Sequence, residues 1–126
     1  DYVDIWGALG GRFDHALANV LLLMKGKDAG VRVRLLDEYC EMFIAGETTN
    51  VEDAVGCLVS LIALSPVVQG VTLTGFQYPL ADETLSISES RGISNIVGEP
   101  AATIHVSKGN LLVIRYWKKD FFPEVF

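Results

Sequence analysis

Short apolar runs alternate with glycines and polar residues along the start of the chain. Residues 3–9 are mostly apolar and run into a pair of glycines, which predicts a buried strand that ends in a tight turn. The apolar residues that follow recur at the spacing of one helical face: Phe13, Leu17, Val20, Leu21 and Met24. Residues 31–36 alternate between apolar and charged side chains, as in a strand with one solvated face. The start of the chain therefore predicts a strand, a helix and a strand, the unit from which parallel sheets are built.

The hydrophobic pattern changes near residue 37, because no helical period of useful length follows. Strand-like runs separated by turn residues lie near residues 39–45, 56–63, 70–74, 101–106 and 111–116. The last two runs predict a hairpin that turns at residues 108–110. Short strands without crossover helices favour an antiparallel sandwich or a barrel-like domain. We therefore predict an α+β chain, in which residues 1–38 form a terminal β-α-β piece of a parallel α/β domain and residues 39–126 form an antiparallel β-sandwich domain.

Composition and charge narrow the classes of function. The chain has 126 residues, of which 50% are hydrophobic, and a formal net charge of −6, a composition that argues against disorder. The negative field repels phosphate backbones and anionic headgroups, so we expect neither nucleic-acid nor membrane partners. No apolar run approaches the roughly 20 residues of a membrane-spanning helix. Cys40 and Cys57 lie in apolar, strand-like stretches, which predicts buried thiols in a reducing cytoplasm.

The most informative local motif is GALGGRFDH at residues 7–15, a strand end, a glycine turn and a helix start in succession. The backbone N–H groups of Gly10 and Gly11 can approach an anion, and the helix N-terminus adds partial positive charge. The guanidinium of Arg12 suits phosphate oxygens, and the carboxylate of Asp14 suits the Mg²⁺ that accompanies a nucleotide. The alternative is an ordinary βα turn, in which the helix dipole alone favours a first-turn carboxylate.

A second polar cluster lies between strand-like runs at residues 91–95, RGISN. Ser94 and Asn95 carry hydrogen-bond donors and acceptors that can orient a neutral heterocycle. Turn chemistry favours the same residue types without any ligand, so this interpretation also stays open. His15 follows Asp14 at a predicted helix N-terminus, which disfavours its cationic form and suggests at most a positioning role.

Four stretches, taken in order, resemble the bacterial thiamine pyrophosphokinase family. They are GGRFDH followed by LAN within residues 10–19, VTLTGFQYPL at 71–80, GISN at 92–95 and KGNLLV at 108–113. The resemblance implies an N-terminal α/β domain that binds Mg-ATP, a β-sandwich that helps to bind thiamine, and a homodimer with active sites at the subunit interface. It implies transfer of pyrophosphate from ATP to the hydroxyl of thiamine, which gives thiamine diphosphate and AMP.

The resemblance also assigns roles to individual residues. It implies that the ATP phosphates and Mg²⁺ are held by residues of the glycine turn, namely Gly10, Gly11, Arg12 and Asp14, with Arg12 and Asp14 as the catalytic pair and Asp14 as the metal ligand. It implies that thiamine is held by Ser94, Asn95 and His15.

Some positions depart from the family pattern. Ile96 stands where many bacterial members have Glu, and the aliphatic Leu112 and Val113 stand where some relatives stack an aromatic residue on thiamine. The upstream aspartates of the family are outside this sequence, so we expect the 126-residue chain alone to be inactive. Two other interpretations remain: a non-catalytic β-rich module for ligand binding or dimerisation, and a different nucleotide-using α/β enzyme that shares the glycine turn.

Overall fold

The computed structural model describes residues 1–118, which form one helix and ten strands. In chain order the elements are β1 (Tyr2–Trp6), α1 (Phe13–Asp28), β2 (Arg32–Leu36), β3 (Cys40–Ile44), β4 (Thr48–Glu52), β5 (Leu58–Ala63), β6 (Val67–Thr74), β7 (Leu80–Ser86), β8 (Asn95–Ile96), β9 (Ala101–His105) and β10 (Leu111–Tyr116). The chain is therefore mostly β, as the sequence predicted for the region after residue 37.

Two sheets form the sandwich. The larger has six strands in the order β1-β2-β3-β10-β5-β8, and the smaller has four in the order β4-β9-β6-β7. β1 and β2 pair in parallel and flank α1 in the chain, whereas the other strand pairs of the described residues are antiparallel. β2 also pairs with β3, so the larger sheet continues through the predicted domain boundary at residue 38. That boundary, and a separate parallel α/β domain, stay predictions.

The main core lies between the two sheets. Alternate residues of β5 and β10 face alternate residues of β6 and β9, as expected for strands with period 2. The most deeply buried of these side chains, each 0% exposed, are Val59, Val68, Val71, Ile104, Leu111 and Val113. They belong to one continuous apolar cluster, which fixes the positions of the loops at the sheet edges.

The helix α1 packs on the other face of the larger sheet. Leu23 is 2% exposed and joins Leu35 and Leu112 in a second apolar cluster. Of the apolar helix stripe that the sequence predicted, Val20 packs against this cluster, but Phe13 and Leu17 are 91% and 64% exposed. The predicted stripe is therefore not the face that covers the sheet. The helix is apolar on two sides, and the second side is exposed.

The predicted hairpin of the last two strands is wrong. β9 pairs with β4 and β6 in the smaller sheet, while β10 pairs with β3 and β5 in the larger sheet. The connecting turn crosses from one layer to the other. Gly109, at φ +106°, packs against the backbone of Val67 and Val68 there, where a side chain would collide. A glycine turn thus allows a change of sheet here instead of a reversal within one sheet.

Charged side chains link four neighbouring strands of the larger sheet, β1, β2, β3 and β10. Arg34 on β2 donates to both carboxylate oxygens of Asp4 on β1, at 3.0 and 2.9 Å, and to Glu41 on β3, at 2.6 Å. Glu41 also pairs with Arg115 on β10, with 3.5 Å between the guanidinium nitrogen and the carboxylate oxygen. The hydrogen bonds from Arg34 lower the pKa of Asp4, and its carboxylate partners raise the pKa of Arg34.

Candidate functional site

The glycine turn between β1 and α1 is exposed, and a side chain of α1 holds it in place. Gly11 has φ +82°, a backbone conformation that residues with a side chain rarely adopt. No atom lies within 4 Å of a Cβ added at Gly10 or Gly11. Asn19, on the second turn of α1, donates from Nδ2 to the carbonyl oxygen of Ala8 at 2.9 Å. The helix therefore anchors the turn while leaving its backbone accessible, which is the geometry that an anion site at a helix N-terminus requires.

Arg12 and Asp14 form a bidentate ion pair at this turn. The guanidinium donates from Nη2 to Oδ2 at 2.5 Å and from Nε to Oδ1 at 3.1 Å. Both side chains are largely exposed, at 71% and 60%. Oδ1 of Asp14 also accepts a hydrogen bond from the backbone N–H of His15, whose ring is exposed and hydrogen-bonds to no residue within 1–118. The guanidinium already holds two carboxylate oxygens in the manner in which it can hold two phosphate oxygens.

The described part of the chain lacks a cluster of metal-ligating side chains. Residues 1–118 contain no group of three or more His, Cys, Asp or Glu side chains arranged to hold a metal ion. Asp14 therefore offers a single carboxylate. Mg²⁺ in nucleotide sites often takes only one or two protein carboxylates, together with phosphate oxygens and water, so one exposed carboxylate beside an anion site fits such an ion.

The second predicted loop packs against the edge of β5. Leu61 donates its backbone N–H to the carbonyl of Gly92 at 2.9 Å, and Ser94 donates its backbone N–H to Oγ of the buried Ser60 at 3.0 Å. Ser94 has φ +62°, a conformation that non-glycine residues seldom adopt, and its side chain is half-buried. These contacts fix the backbone of the loop, so the positions of its side chains are largely preset.

Asn95 connects this loop to the segment that precedes β7. Its Oδ1 accepts hydrogen bonds from the backbone N–H of Tyr78 at 3.1 Å and of Ile96 at 2.9 Å, and its Nδ2 donates to the carbonyl of Tyr78 at 2.8 Å. Asn95 is 5% exposed, whereas Tyr78 is 58% exposed. The structure thus brings an exposed aromatic ring to the Ser94 loop. Nothing in the local pattern marks Tyr78, apart from its place within the TGFQYPL stretch that carries the family resemblance.

The two halves of the predicted site lie at opposite edges of the larger sheet. The glycine turn follows β1 at one edge, and the Ser94 loop leads into β8 at the other. Five steps between strands separate these edges, and at about 4.8 Å a step this is on the order of 24 Å. Thiamine is much smaller than this separation. One thiamine molecule is therefore too small to touch both loops of the same chain.

A cavity of about 610 Å³ lies away from both loops. Arg34, Glu41 and Phe43 line it together with residues of β4, and none of the predicted site residues takes part. Its size alone does not make it the reaction site, because the side chains expected to carry the chemistry are elsewhere.

The fold and loops together define a class of protein: a β-sandwich whose larger sheet carries a β-α-β unit, with a glycine turn at one edge and a polar loop at the other. Known proteins identify the class more closely. Residues 48–111, about half of the chain, match the family described as thiamin pyrophosphokinase, vitamin B1 binding domain. This chain belongs to the thiamine pyrophosphokinase family, in agreement with the resemblance found in its sequence.

Individual relatives agree with this membership. The thiamine pyrophosphokinase of Bacillus subtilis is 36% identical over 117 residues, which cover 91% of this chain and 55% of that protein. Thiamine pyrophosphokinase 1 of Oryza sativa subsp. japonica is 31% identical over 108 residues, or 82% of this chain and 40% of that protein. A crystal structure of thiamine pyrophosphokinase from Bacillus subtilis superposes with a TM-score of 0.86 at 32% identity, over 94% of this chain and 56% of that chain.

The chain spans about half the length of the Bacillus subtilis enzyme, in both the sequence and the structural comparison. Within residues 1–118, no helix is long and apolar enough to cross a membrane. Cys40 and Cys57 are both buried and unpaired, as predicted.

Proposed function

We propose that this chain is the C-terminal portion of a thiamine diphosphokinase, which transfers pyrophosphate from ATP to the hydroxyl of thiamine and releases AMP. Support comes from the family membership together with two preformed loops of the chemistry that this reaction needs. One loop offers backbone amides and a guanidinium to phosphates and a carboxylate to the accompanying Mg²⁺, and the other offers hydroxyl and aromatic groups to a heterocycle. The free, buried thiols of Cys40 and Cys57 support a reducing, cytoplasmic setting.

On the ATP side, we assign phosphate binding to Gly10, Gly11 and Arg12. The open backbone of the turn and the N-terminus of α1 favour negative charge there. A phosphate that takes the guanidinium from Asp14 frees the carboxylate, which then becomes available as a ligand for Mg²⁺ beside the phosphates. Binding of the two charged ligands is therefore coupled through the Arg12–Asp14 pair.

On the thiamine side, we assign the Ser94 hydroxyl to hydrogen bonding and the exposed ring of Tyr78 to stacking on an aromatic ring of thiamine. The last strand does not supply the stacking residue, because Leu112 and Val113 are buried at 4% and 0% exposure. His15 can position the substrate from the first turn of α1. The hydroxyl oxygen of thiamine attacks the β-phosphorus of ATP in line, and the bond from that phosphorus to the AMP oxygen breaks.

The catalytic contribution of these residues is positioning and charge neutralisation. When bound, Mg²⁺ supplies positive charge to the phosphate oxygens. Arg12 and the turn amides hold the same oxygens as negative charge shifts toward AMP, and fixed donors of this kind are commonly a large part of the catalysis of phosphoryl transfer. The remaining acidic groups of the nucleotide site lie outside this chain in our proposal. We expect the part of the protein that carries them to adjoin the exposed apolar side of α1 and the edge of β1 that is unpaired within residues 1–118.

The separation of the loops supports a homodimer. Because the glycine turn and the Ser94 loop of one chain lie on the order of 24 Å apart, we infer that each active site combines the turn of one subunit with the loop of the other. In this arrangement one subunit alone lacks a complete site.

Mixing of subunits in the full-length enzyme tests this proposal. We expect Asp14→Ala and Tyr78→Ala homodimers each to lose most AMP formation with thiamine, ATP and Mg²⁺. In an equal mixture of co-expressed subunits, half of the dimers are mixed, and each mixed dimer has one site with both changes and one site with neither. About a quarter of wild-type activity should therefore return.

The controls separate the two parts of the proposal. A mixture of Asp14→Ala with a second Asp14 variant should recover nothing. If the wild-type enzyme forms no AMP, the proposed reaction is wrong, and thiamine binding without turnover would favour the non-catalytic module instead. If the wild type is active but the mixture recovers nothing, the shared site is wrong.

A further inference from the structure

We infer that Asn95 is a positioning residue for Tyr78 and not a direct ligand of thiamine; this inference rests on the proposed function. Asn95 lies beside Ser94 in the polar loop, where the residue type alone suggests a contact with a heterocycle. Its observed hydrogen bonds assign it to the protein instead.

The side-chain amide of Asn95 has little capacity left for a ligand. Oδ1 accepts from the backbone N–H groups of Tyr78 and Ile96, which uses both of its lone pairs. Nδ2 donates one N–H to the carbonyl of Tyr78 at 2.8 Å, and the residue is 5% exposed. The orientation of the amide follows from its partners, because a backbone N–H must face the oxygen and a backbone carbonyl must face the nitrogen.

The amide replaces a missing piece of backbone pairing. Phe76 forms a bridge with Val97, and the N–H of Gln77 donates to the carbonyl of Ile96 at 2.8 Å, so the two segments run antiparallel up to this point. Ser94, at φ +62°, turns the chain away, and its N–H goes to Ser60 instead. The Asn95 side chain then satisfies both polar backbone groups of Tyr78, which would otherwise lack the partners that a ladder provides.

The consequence is that the backbone carrying the Tyr78 ring is held before a substrate binds. The backbone of Tyr78 is held at its N–H and its carbonyl, and Pro79 restricts the conformation on its C-terminal side. The ring nevertheless stays 58% exposed. Because the backbone of Tyr78 is already held, less conformational freedom is lost when a substrate stacks on its ring, which lowers the cost of binding. Loss of the Asn95 amide should therefore raise the KM for thiamine by about 3- to 10-fold and leave kcat within about 2-fold.

A double-mutant cycle in the full-length enzyme tests this role. Asn95→Asp keeps the size of the side chain and both accepted hydrogen bonds but turns the donor toward the Tyr78 carbonyl into an acceptor. We expect the KM for thiamine to rise and the KM for ATP to stay unchanged. In a Tyr78→Ala background, the same change should move the thiamine KM by less than about 2-fold, because the ring through which Asn95 acts is gone. Asn50→Asp, the same exchange at an exposed position of β4, is the matched control and should alter neither KM.

Two outcomes would overturn the inference. One is an undiminished effect of Asn95→Asp in the Tyr78→Ala background, which would indicate direct contact with thiamine. The other comes from hydrogen exchange and needs no turnover, so it separates this inference from the proposed reaction. The Tyr78 amide of the wild-type protein should exchange slowly and should lose at least tenfold protection in an Asn95→Ala variant that remains folded. Fast exchange in the wild type, or no change in the variant, contradicts the positioning role.

Discussion

Gly92 offers a sharp test of how tightly the polar loop is packed. A Cβ at this position would lie 2.6 Å from the carbonyl oxygen and 2.9 Å from Cβ of Leu61, well inside ordinary contact distance. Leu61 is 2% exposed within the main core and donates its N–H to Gly92, so it cannot move without disturbing both the core and the loop. Overpacking costs about 1–3 kcal/mol, and a weakened hydrogen bond adds about 0.5–1.5 kcal/mol. Gly92→Ala should therefore lower the free energy of unfolding by about 2–4 kcal/mol.

Urea denaturation followed by circular dichroism measures this change, with the slope against urea expected to stay constant. Gly46→Ala is the matched control, since no atom lies within 4 Å of its added Cβ, and it should stay within about 0.5 kcal/mol of the wild type. Equal stability of the two alanine variants would contradict tight packing of the polar loop, because the loop would then have room to move away from β5. In that case the preset geometry of Ser94 would also lose its basis.

Two further predictions concern titratable groups away from the proposed site. The hydrogen bond from Arg34 lowers the pKa of Asp4, so this bond stabilises the fold above the ordinary carboxyl pKa of 3.8 and is lost as the pH falls through the lower folded value. Asp4→Asn should accordingly lose less stability than the wild type in urea melts taken between about pH 4 and pH 2, and parallel pH curves would contradict this. Burial raises the pKa of Cys40 to about 12, so a thiol reagent at pH 8 should modify it only as fast as the protein unfolds. Immediate labelling of the native protein, located by peptide mapping, would be the contrary result.

The sequence predicts the strands that have a neighbouring strand on both sides better than the edge strands of the smaller sheet. β5, β6, β9 and β10 carry apolar runs, and their predicted positions agree with the structure within a few residues. β4 and β7 were missed, because each lies at an edge of the smaller sheet and buries little besides Val51 or Leu85. A mostly polar strand at an edge gives almost no hydrophobic period, and the short β8 gives none at all.

Motifs predicted which loops carry polar chemistry, but they could not predict the partners within each loop. GGRFDH indicated an anion site, and the structure adds that Arg12 and Asp14 bind one another while Asn19 anchors the turn. GISN suggested that Ser94 and Asn95 act alike, whereas only Asn95 is committed to Tyr78, a residue 17 positions away. Residue type specifies what a side chain can bond to, and only the tertiary fold specifies which partner it finds.

Strand order has the largest consequence for function, and it is the least local property of the chain. The glycine turn and the Ser94 loop come at opposite edges because β3 pairs with β10, and β10 in turn pairs with β5, contacts between strands far apart in sequence. Each loop nevertheless has a key internal contact in place: Arg12 neutralises Asp14, and Asn95 satisfies the backbone of Tyr78. Each half of the proposed site is therefore stable before its ligand or its partner subunit arrives. Phosphate binding has to replace Asp14 as the partner of Arg12, whereas thiamine binding leaves the hydrogen bonds between Asn95 and Tyr78 in place. We therefore expect the nucleotide side to rearrange on binding and the thiamine side to stay fixed.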